Sequence, residues 1–89
     1  KNIKELRTEI KEIAQEGKHL LMDFLKAEYI DSFFEGFLIY ANAVFSKTGK
    51  KIVIFNANDY IRDIFRIAKI DSILTVASDY DEALKEIGE

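Results

Sequence analysis

The chain has 89 residues, of which 48% are hydrophobic, so it is long enough for one core but not for two, and we expect a single domain over residues 1–89. It contains no cysteine, which excludes a disulfide framework and any Cys-based zinc or redox site and fits a reducing cytoplasm. The net charge of −3 and the pI near 5.2 argue against a nucleic-acid partner, because binders of DNA or RNA normally carry a basic face. The apolar runs are far shorter than the roughly 20 residues that a membrane span needs, so we expect no direct membrane insertion.

The first predicted element is a helix over about Asn2 to Glu16, where apolar residues recur at steps of three and four. Asn2 can cap its start, and Gly17 suits the left-handed residue just past its end. The run from His19 to Leu25 is apolar except for Asp23 and is too short for a helix, so it predicts a strand.

Helices and strands alternate through the rest of the chain. A wide apolar face predicts a helix from Phe34 to Phe45, closed by Gly49. The β-branched runs Lys51–Asn56 and Ile73–Ala77 predict strands, the first of them covered on both faces. Two more helices are predicted to begin at Asn58 or Asp59 and after Ser78 or Asp79, and Gly88 follows the last of them.

The order α-β-α-β-α-β-α predicts the α/β fold class, because strands that alternate with helices are joined by right-handed crossovers and run parallel. We expect a three-stranded parallel sheet with the middle strand in the centre and the helices packed mainly on one face. The predicted core comprises Leu6, Ile10, Ile13, Leu21, Phe24, Phe37, Leu38, Ala41, Ile52, Ile54, Ile64, Phe65, Ile73, Val76 and Leu84.

No residue pattern predicts an enzyme, a metal site or a cofactor. His19 is the only histidine and has no Ser or Cys near it in sequence, so a strand-end role is favoured over a catalytic one. The segment Ser46-Lys47-Thr48-Gly49-Lys50 has the residue types of a phosphate-binding loop, but it runs from a helix to a strand rather than the reverse. The acids Asp79, Asp81 and Glu82 are best explained as first-turn acids that favour the positive end of the helix dipole.

The turn Asp31–Gly36 lies between the first predicted strand and the second helix, where α/β proteins usually bind their ligands and partners. Ser32 and Glu35 have the spacing of a capping box, which predicts that Ser32 caps the helix. Phe33 and Phe34 point about 100° apart on a helix, so both are buried only if the helix start is covered on two sides. Otherwise Phe33 is an exposed aromatic beside a polar turn, the kind of anchor that protein interfaces favour.

Three segments resemble a STAS domain, the module of bacterial anti-sigma factor antagonists that also occurs in sulphate transporters, stress-signalling scaffolds and lipid-transport complexes. They are Leu20-Leu21-Met22-Asp23-Phe24-Leu25, the turn Tyr29-Ile30-Asp31-Ser32 with Gly36, and Gly49-Lys50-Lys51-Ile52-Val53-Ile54-Phe55-Asn56. The segments 64–73 and 79–84 are similar to the family's last crossover helix and to its C-terminal helix. The resemblance covers nearly all of residues 2–89.

The resemblance implies a cytoplasmic, non-catalytic module that binds a protein partner, such as a kinase-like anti-sigma factor. The residues it points to are Asp31, Ser32, Phe33, Phe34 and Glu35. The family's turn reads Asp-Ser-Ser/Thr-Gly-x-Gly with its regulatory phosphate on the second hydroxyl residue, and Phe33 occupies that position here. Ser32 is the candidate that remains for phosphorylation. The alternative function is a small-molecule or lipid-handling module in which Phe33, Phe34 and Phe37 line an apolar pocket.

STAS domains begin with one or two strands before the first helix, and the helical pattern here begins at once. The strand at His19–Leu25 is therefore expected at one edge of the sheet, with unpaired backbone groups that invite pairing. We expect either residues preceding Lys1 in the native protein or the same edge of a second copy, in a homodimer, to cover it.

Overall fold

The computed structural model describes residues 2–89, and its first helix, α1 (Ile3–Gln15), begins and ends within one residue of the predicted bounds. The Asn2 side chain accepts a hydrogen bond from the backbone N–H of Glu5 at 2.8 Å, which satisfies one of the free donors at the helix start. Gly17 follows the helix with φ of 71°, a conformation that glycine adopts without steric cost.

The remaining elements follow in the predicted alternation: β1 (Leu20–Asp23), α2 (Ser32–Phe45), β2 (Ile52–Phe55), α3 (Asp59–Ile67), a short 3₁₀ helix (Ile70–Ser72), β3 (Thr75–Val76) and α4 (Tyr80–Glu86). All three strands are shorter than their sequence patterns indicated, and α2 begins two residues before its predicted start.

The strands form one parallel sheet in the order β1-β2-β3, which confirms the predicted topology with the middle strand in the centre. Leu20 is in register with Ile52, and Asp23 with Phe55, so β1 and β2 end at the same level. Val53 is in register with Thr75. Because the strands are parallel, all three loops that follow them leave from the same end of the sheet, the carboxyl end of the strands.

The core lies on both faces of the sheet, since alternate side chains of a strand point to opposite faces. The larger cluster joins α1, α2 and α3 to one face through Ile52 and Ile54 of β2. The smaller cluster packs Val53 and Phe55 on the other face against Ala77 and Ala83, at the end of β3 and in α4. Burial on both faces explains why β2 is apolar at every position.

The predicted core is largely confirmed. Eight of its residues are buried: Ile10, Phe24, Phe37, Leu38, Ala41, Ile52, Ile54 and Phe65. Six others are half-buried: Leu6, Ile13, Leu21, Ile64, Val76 and Leu84.

The prediction for Ile73 is wrong, because its side chain is 41% exposed. A left-handed turn at Lys69, with φ of 62°, begins the 3₁₀ helix and buries Ile70 completely. The next core position is then Leu74 rather than Ile73, and β3 begins only at Thr75.

Within residues 2–89, no helix has both the length and the apolar character needed to cross a bilayer.

Candidate functional site

Hydrogen bonds of Asn56 connect the carboxyl ends of all three strands. The Asn56 amide, just past β2, donates to Asp23 Oδ1 at the end of β1 over 3.2 Å. The backbone N–H of Asn56 donates to the carbonyl of Ser78, which follows β3, at 3.3 Å. Asn56 adopts φ of 61°, a left-handed conformation that Asn tolerates better than most residues. The three loops therefore leave from carboxyl strand ends that are hydrogen-bonded to one another.

The loop between β1 and α2 is tied to the start of α3 by Asn58. The Asn58 side chain caps α3 by accepting from the backbone N–H of Ile61 at 2.8 Å. Its amide nitrogen lies 3.3 Å from the carbonyl oxygens of both Ala27 and Glu28. One side chain thus satisfies a helix start and two loop carbonyls.

The cap of α2 is Asp31, which corrects the prediction for Ser32. Asp31 Oδ1 accepts from the backbone N–H of Phe34 at 2.9 Å, and the Asp31 carbonyl accepts from Glu35 N–H at 3.0 Å. A capping box needs Glu or Gln three residues after the cap. With Asp31 as the cap, that position is Phe34, so the Ser32–Glu35 spacing forms no box.

Phe33 and Phe34 lie in very different surroundings. The sequence left open whether Phe33 is buried or exposed. Its side chain is 77% exposed, so Phe33 is an aromatic residue that faces solvent. Phe34 is half-buried, with its ring 5.8 Å from that of Phe24 and 5.5 Å from that of Phe37. Phe34 anchors the first turn of α2 to the core and so fixes the place of Phe33 at the surface.

The other polar residues of the turn are accessible to different degrees. Ser32 is exposed in the first turn of α2 and does not act as its cap. Glu35 is half-buried, and Gly36 is exposed with open space around the position that a Cβ would occupy.

A cavity of about 580 Å³ opens between the end of β1 and the turn. Its lining is mostly apolar, with two carboxylates, and includes Met22, Phe24, Ile30, Phe34, Asp23 and Asp31. Of the three phenylalanines predicted to line a ligand pocket, only Phe34 lines this one. Phe37 lines a smaller cavity of about 160 Å³ between α1, β1 and α2, and Phe34 contributes to both.

The groups weighed for catalysis have structural roles. His19 Nδ1 accepts from the backbone N–H of Lys51 at 2.9 Å, at the opposite end of the sheet from the Asp31 turn. Asp79 caps α4 by accepting from Glu82 N–H at 2.9 Å, as its position in the sequence indicated. Among residues 2–89, no group of three or more His, Asp or Glu side chains is placed to hold a metal ion.

The segment that resembled a phosphate-binding loop is a helix-to-strand turn. The Ser46 and Thr48 hydroxyls donate to the backbone carbonyls of Ala43 and Phe45, at the end of α2. These bonds satisfy carbonyls that the helix leaves free at its C-terminus.

Sequence reasoning placed Asn58 only at the start of a helix and gave Asn56 no role in the site, although both side chains hold the loops of the site together. The signal available was their position, since each follows the apolar run of β2 within three residues. A polar residue at a strand's carboxyl end is a candidate for contact with the neighbouring loops. Its hydrogen-bond partner, 30 or more residues away in the chain, cannot be identified from the local sequence pattern.

The chain matches the STAS domain family over residues 1–83. The chain belongs to the STAS domain family. The α/β architecture that residues 2–89 form, with three parallel strands and four α-helices, is similar to that of solved STAS proteins. No curated protein matches the chain.

Two solved structures illustrate the likeness. A candidate anti-sigma factor antagonist from Thermotoga maritima has a TM-score of 0.78 at 20% sequence identity, with 96% of this chain and 78% of that protein covered. An anti-sigma factor antagonist (STAS) domain protein from Planctomyces limnophilus has a TM-score of 0.82 at 16% identity, with 98% of this chain and 77% of that protein covered. At these identities the likeness establishes the shared fold.

Proposed function

We propose that this STAS domain is a non-catalytic, cytoplasmic interaction module of the anti-sigma factor antagonist type. Its partner is a regulator resembling a kinase-type anti-sigma factor, bound through the Asp31–Gly36 turn. The observation that carries the proposal is the 77% exposure of Phe33 on the first turn of α2. The neighbouring side chains of Asp31, Ser32, Phe34 and Glu35 complete the proposed site.

Phe33 suits an interface because its backbone lies in the capped first turn of α2 while its ring is exposed to solvent. The Asp31 cap and the buried side of Phe34 hold the first turn of α2 in place. An exposed aromatic ring on a rigid support loses little conformational entropy on binding and offers a large apolar area. Such anchors typically dominate the binding energy of protein interfaces.

In the family, the regulatory phosphate is carried by the hydroxyl residue that Phe33 replaces here. This replacement supports partner binding that is not switched by phosphorylation at that position. Ser32 is the hydroxyl left in the turn, and its exposure in the first turn of α2 leaves it accessible to a kinase. Incubation with the partner kinase and ATP, followed by mass spectrometry of the intact chain and of Ser32→Ala, tests whether Ser32 is modified.

The partner assignment is tested by measuring the affinity of the chain for the kinase-type anti-sigma factor encoded in the same genome. We expect Phe33→Ala to weaken binding by more than about fivefold, because it removes an exposed apolar anchor without adding a charge. Ile67→Ala is the matched control, since Ile67 is 74% exposed at the far end of α3. Unchanged affinity for Phe33→Ala would overturn the site, and absence of binding by the unmodified chain would overturn the partner class.

The second candidate function is a small-molecule or lipid-handling module, and the cavity of about 580 Å³ is the observation that favours it. Its volume lies within the range of small-ligand pockets, and its apolar lining with two carboxylates suits an apolar ligand with a cationic group. Native mass spectrometry of the purified chain distinguishes the two functions: a co-purified ligand of defined mass favours this one, and a clean mass of the polypeptide favours protein binding.

A further inference from the structure

The exposed aromatic side chains of this domain are not scattered. Among residues 2–89, four aromatic side chains are more than half exposed: Tyr29, Phe33, Tyr60 and Tyr80. Tyr29 and Phe33 follow β1, Tyr60 lies in the first turn of α3 after β2, and Tyr80 begins α4 after β3. The exposed Leu25 lies in the same set of loops. All of them are therefore at the carboxyl end of the sheet, and we call these five residues the aromatic face.

The parts of the aromatic face are held relative to one another. Asn58, two residues before Tyr60, is hydrogen-bonded to the loop that carries Tyr29. Asn56 connects the ends of β1 and β3, and the Tyr80 ring lies 5.6 Å from that of Phe55 at the end of β2. The exposed rings thus stand on a cross-connected support, as interface anchors do.

The formal charge of the chain is concentrated at the same end. Residues 23–35 carry four carboxylates and a single lysine, which gives −3, equal to the charge of the whole chain. The other residues contain equal numbers of acidic and basic side chains. The first turns of α3 and α4 add further acids beside Tyr60 and Tyr80, while Lys47, Lys50 and Lys51 lie at the opposite end of the sheet.

We propose that the aromatic face as a whole, and not the Asp31–Gly36 turn alone, is the docking surface, and that its partner presents arginine side chains between apolar ones. This inference rests on the proposed function and specifies the partner's chemistry. A guanidinium group stacks on tyrosine rings and pairs with carboxylates in a bidentate manner, so it uses both features of the face. A second copy, an anionic membrane or a nucleic acid would bring like charge to it.

The chemistry is tested without the natural partner, by titrating the isotope-labelled chain with a synthetic peptide of alternating Arg and Leu. We expect amide shifts in all three groups of loops, at residues 25–35, 58–62 and 78–82, and binding that weakens as salt is raised. The matched peptide with Glu in place of Arg should cause no such shifts. Shifts confined to residues 31–36, or equal binding of the two peptides, would overturn the inference.

A pair of substitutions in α3 tests the width of the surface. We expect Tyr60→Ala to weaken binding of the Arg-Leu peptide about two- to fivefold, the loss expected for one exposed cation–π contact. Ile67→Ala on the same helix should leave it unchanged, and equal effects of the two would contradict the proposal.

The same variants assayed with the kinase-type anti-sigma factor separate the two proposals. If the anti-sigma factor does not bind while the peptide maps to the aromatic face, the proposed function fails and the surface stands. If the anti-sigma factor binds and Phe33→Ala weakens its binding but Tyr60→Ala does not, the proposed function stands and the wider surface is wrong.

Discussion

Three successive residues of the α2 start have separate roles. Asp31 holds the helix end through its bond to the Phe34 N–H, Ser32 is exposed, and Phe33 presents its ring to solvent. Because the cap is Asp31, chemistry at Ser32 does not compete with helix stability. A phosphate on Ser32 would also lie near the positive end of the α2 dipole.

This division predicts that substitutions at the two neighbouring residues differ in their cost to stability. Asp31→Ala should lower the free energy of unfolding by about 1 kcal/mol, because the Phe34 N–H loses its acceptor. Ser32→Ala should change it by less than about 0.5 kcal/mol, as for most surface sites. Denaturant unfolding measures both, and Asp31→Asn, which keeps an acceptor oxygen, should restore most of the loss. A larger loss for Ser32→Ala than for Asp31→Ala would show that Ser32 is the cap.

The local pattern did not identify the correct cap of α2. Both Asp and Ser are strong caps, and the Ser32–Glu35 spacing favoured Ser32 over Asp31. The choice depends on which residue first adopts helical angles, and the packing of Phe34 against Phe24 and Phe37 favours a helix that begins at Ser32. The exposure of Phe33 follows from the same packing and could be stated from sequence only as one of two outcomes.

At the scale of elements, α2 is the central helix of the core. It packs against α1 and lies in the same apolar cluster as β2, with Phe37, Leu38 and Ala41 buried. Leu38 is 0% exposed, whereas its neighbour Ile39 is 52% exposed. Two adjacent aliphatic residues of similar size therefore face opposite environments.

Leu38→Ala should lower the free energy of unfolding by roughly 2–5 kcal/mol, since it removes buried apolar atoms and leaves a cavity. Ile39→Ala is the control and should cost much less, because its side chain is largely in water. Chemical denaturation monitored by circular dichroism compares the two variants. Similar losses for both would mean that Leu38 is less buried, or its site more easily repacked, than the structure indicates.

The helices and strands with a clear hydrophobic pattern were predictable from sequence, and the short strand β3 was not. The amphipathic spacing of α1 and the four apolar residues of β2 identify these elements without ambiguity. The β-branched run from Ile73 could be read only as a strand, because local pattern does not distinguish a two-residue strand from the end of a 3₁₀ helix. The burial of Ile70 by α3 and the sheet decides that case.

At the scale of the molecule, the fold assembles a surface that no single segment contains. The sequence indicated the Asp31 turn, but Tyr60 and Tyr80 join it only because parallel strands bring three loops to one edge. The bond between Asn56 and Asp23 spans 33 residues of the chain, and no local pattern encodes it. The predicted topology already implied that the three loops are neighbours. Which aromatic rings are exposed could not be predicted, because it depends on how the start of each helix packs.

The same topology leaves β1 at an edge of the sheet. Leu20 and Phe24 donate their backbone N–H groups to Lys51 and Phe55 of the neighbouring strand segment, so the alternating N–H groups of Leu21 and Asp23 point outward. Within residues 2–89, no strand lies on that side. The edge carries apolar side chains and a single charge, that of Asp23, and so lacks the usual protection against pairing.

We therefore expect the outer edge of β1 to pair with a further strand, which the same edge of a second copy can supply. Hydrogen exchange of the chain, measured with light scattering over a range of concentrations, tests this pairing. Protection of the Leu21 and Asp23 amides that rises together with the mass indicates edge-to-edge pairing, while the Leu20 and Phe24 amides serve as internal controls protected at every concentration. Fast exchange of the Leu21 and Asp23 amides in a monomer would show that the sheet tolerates this edge without a partner.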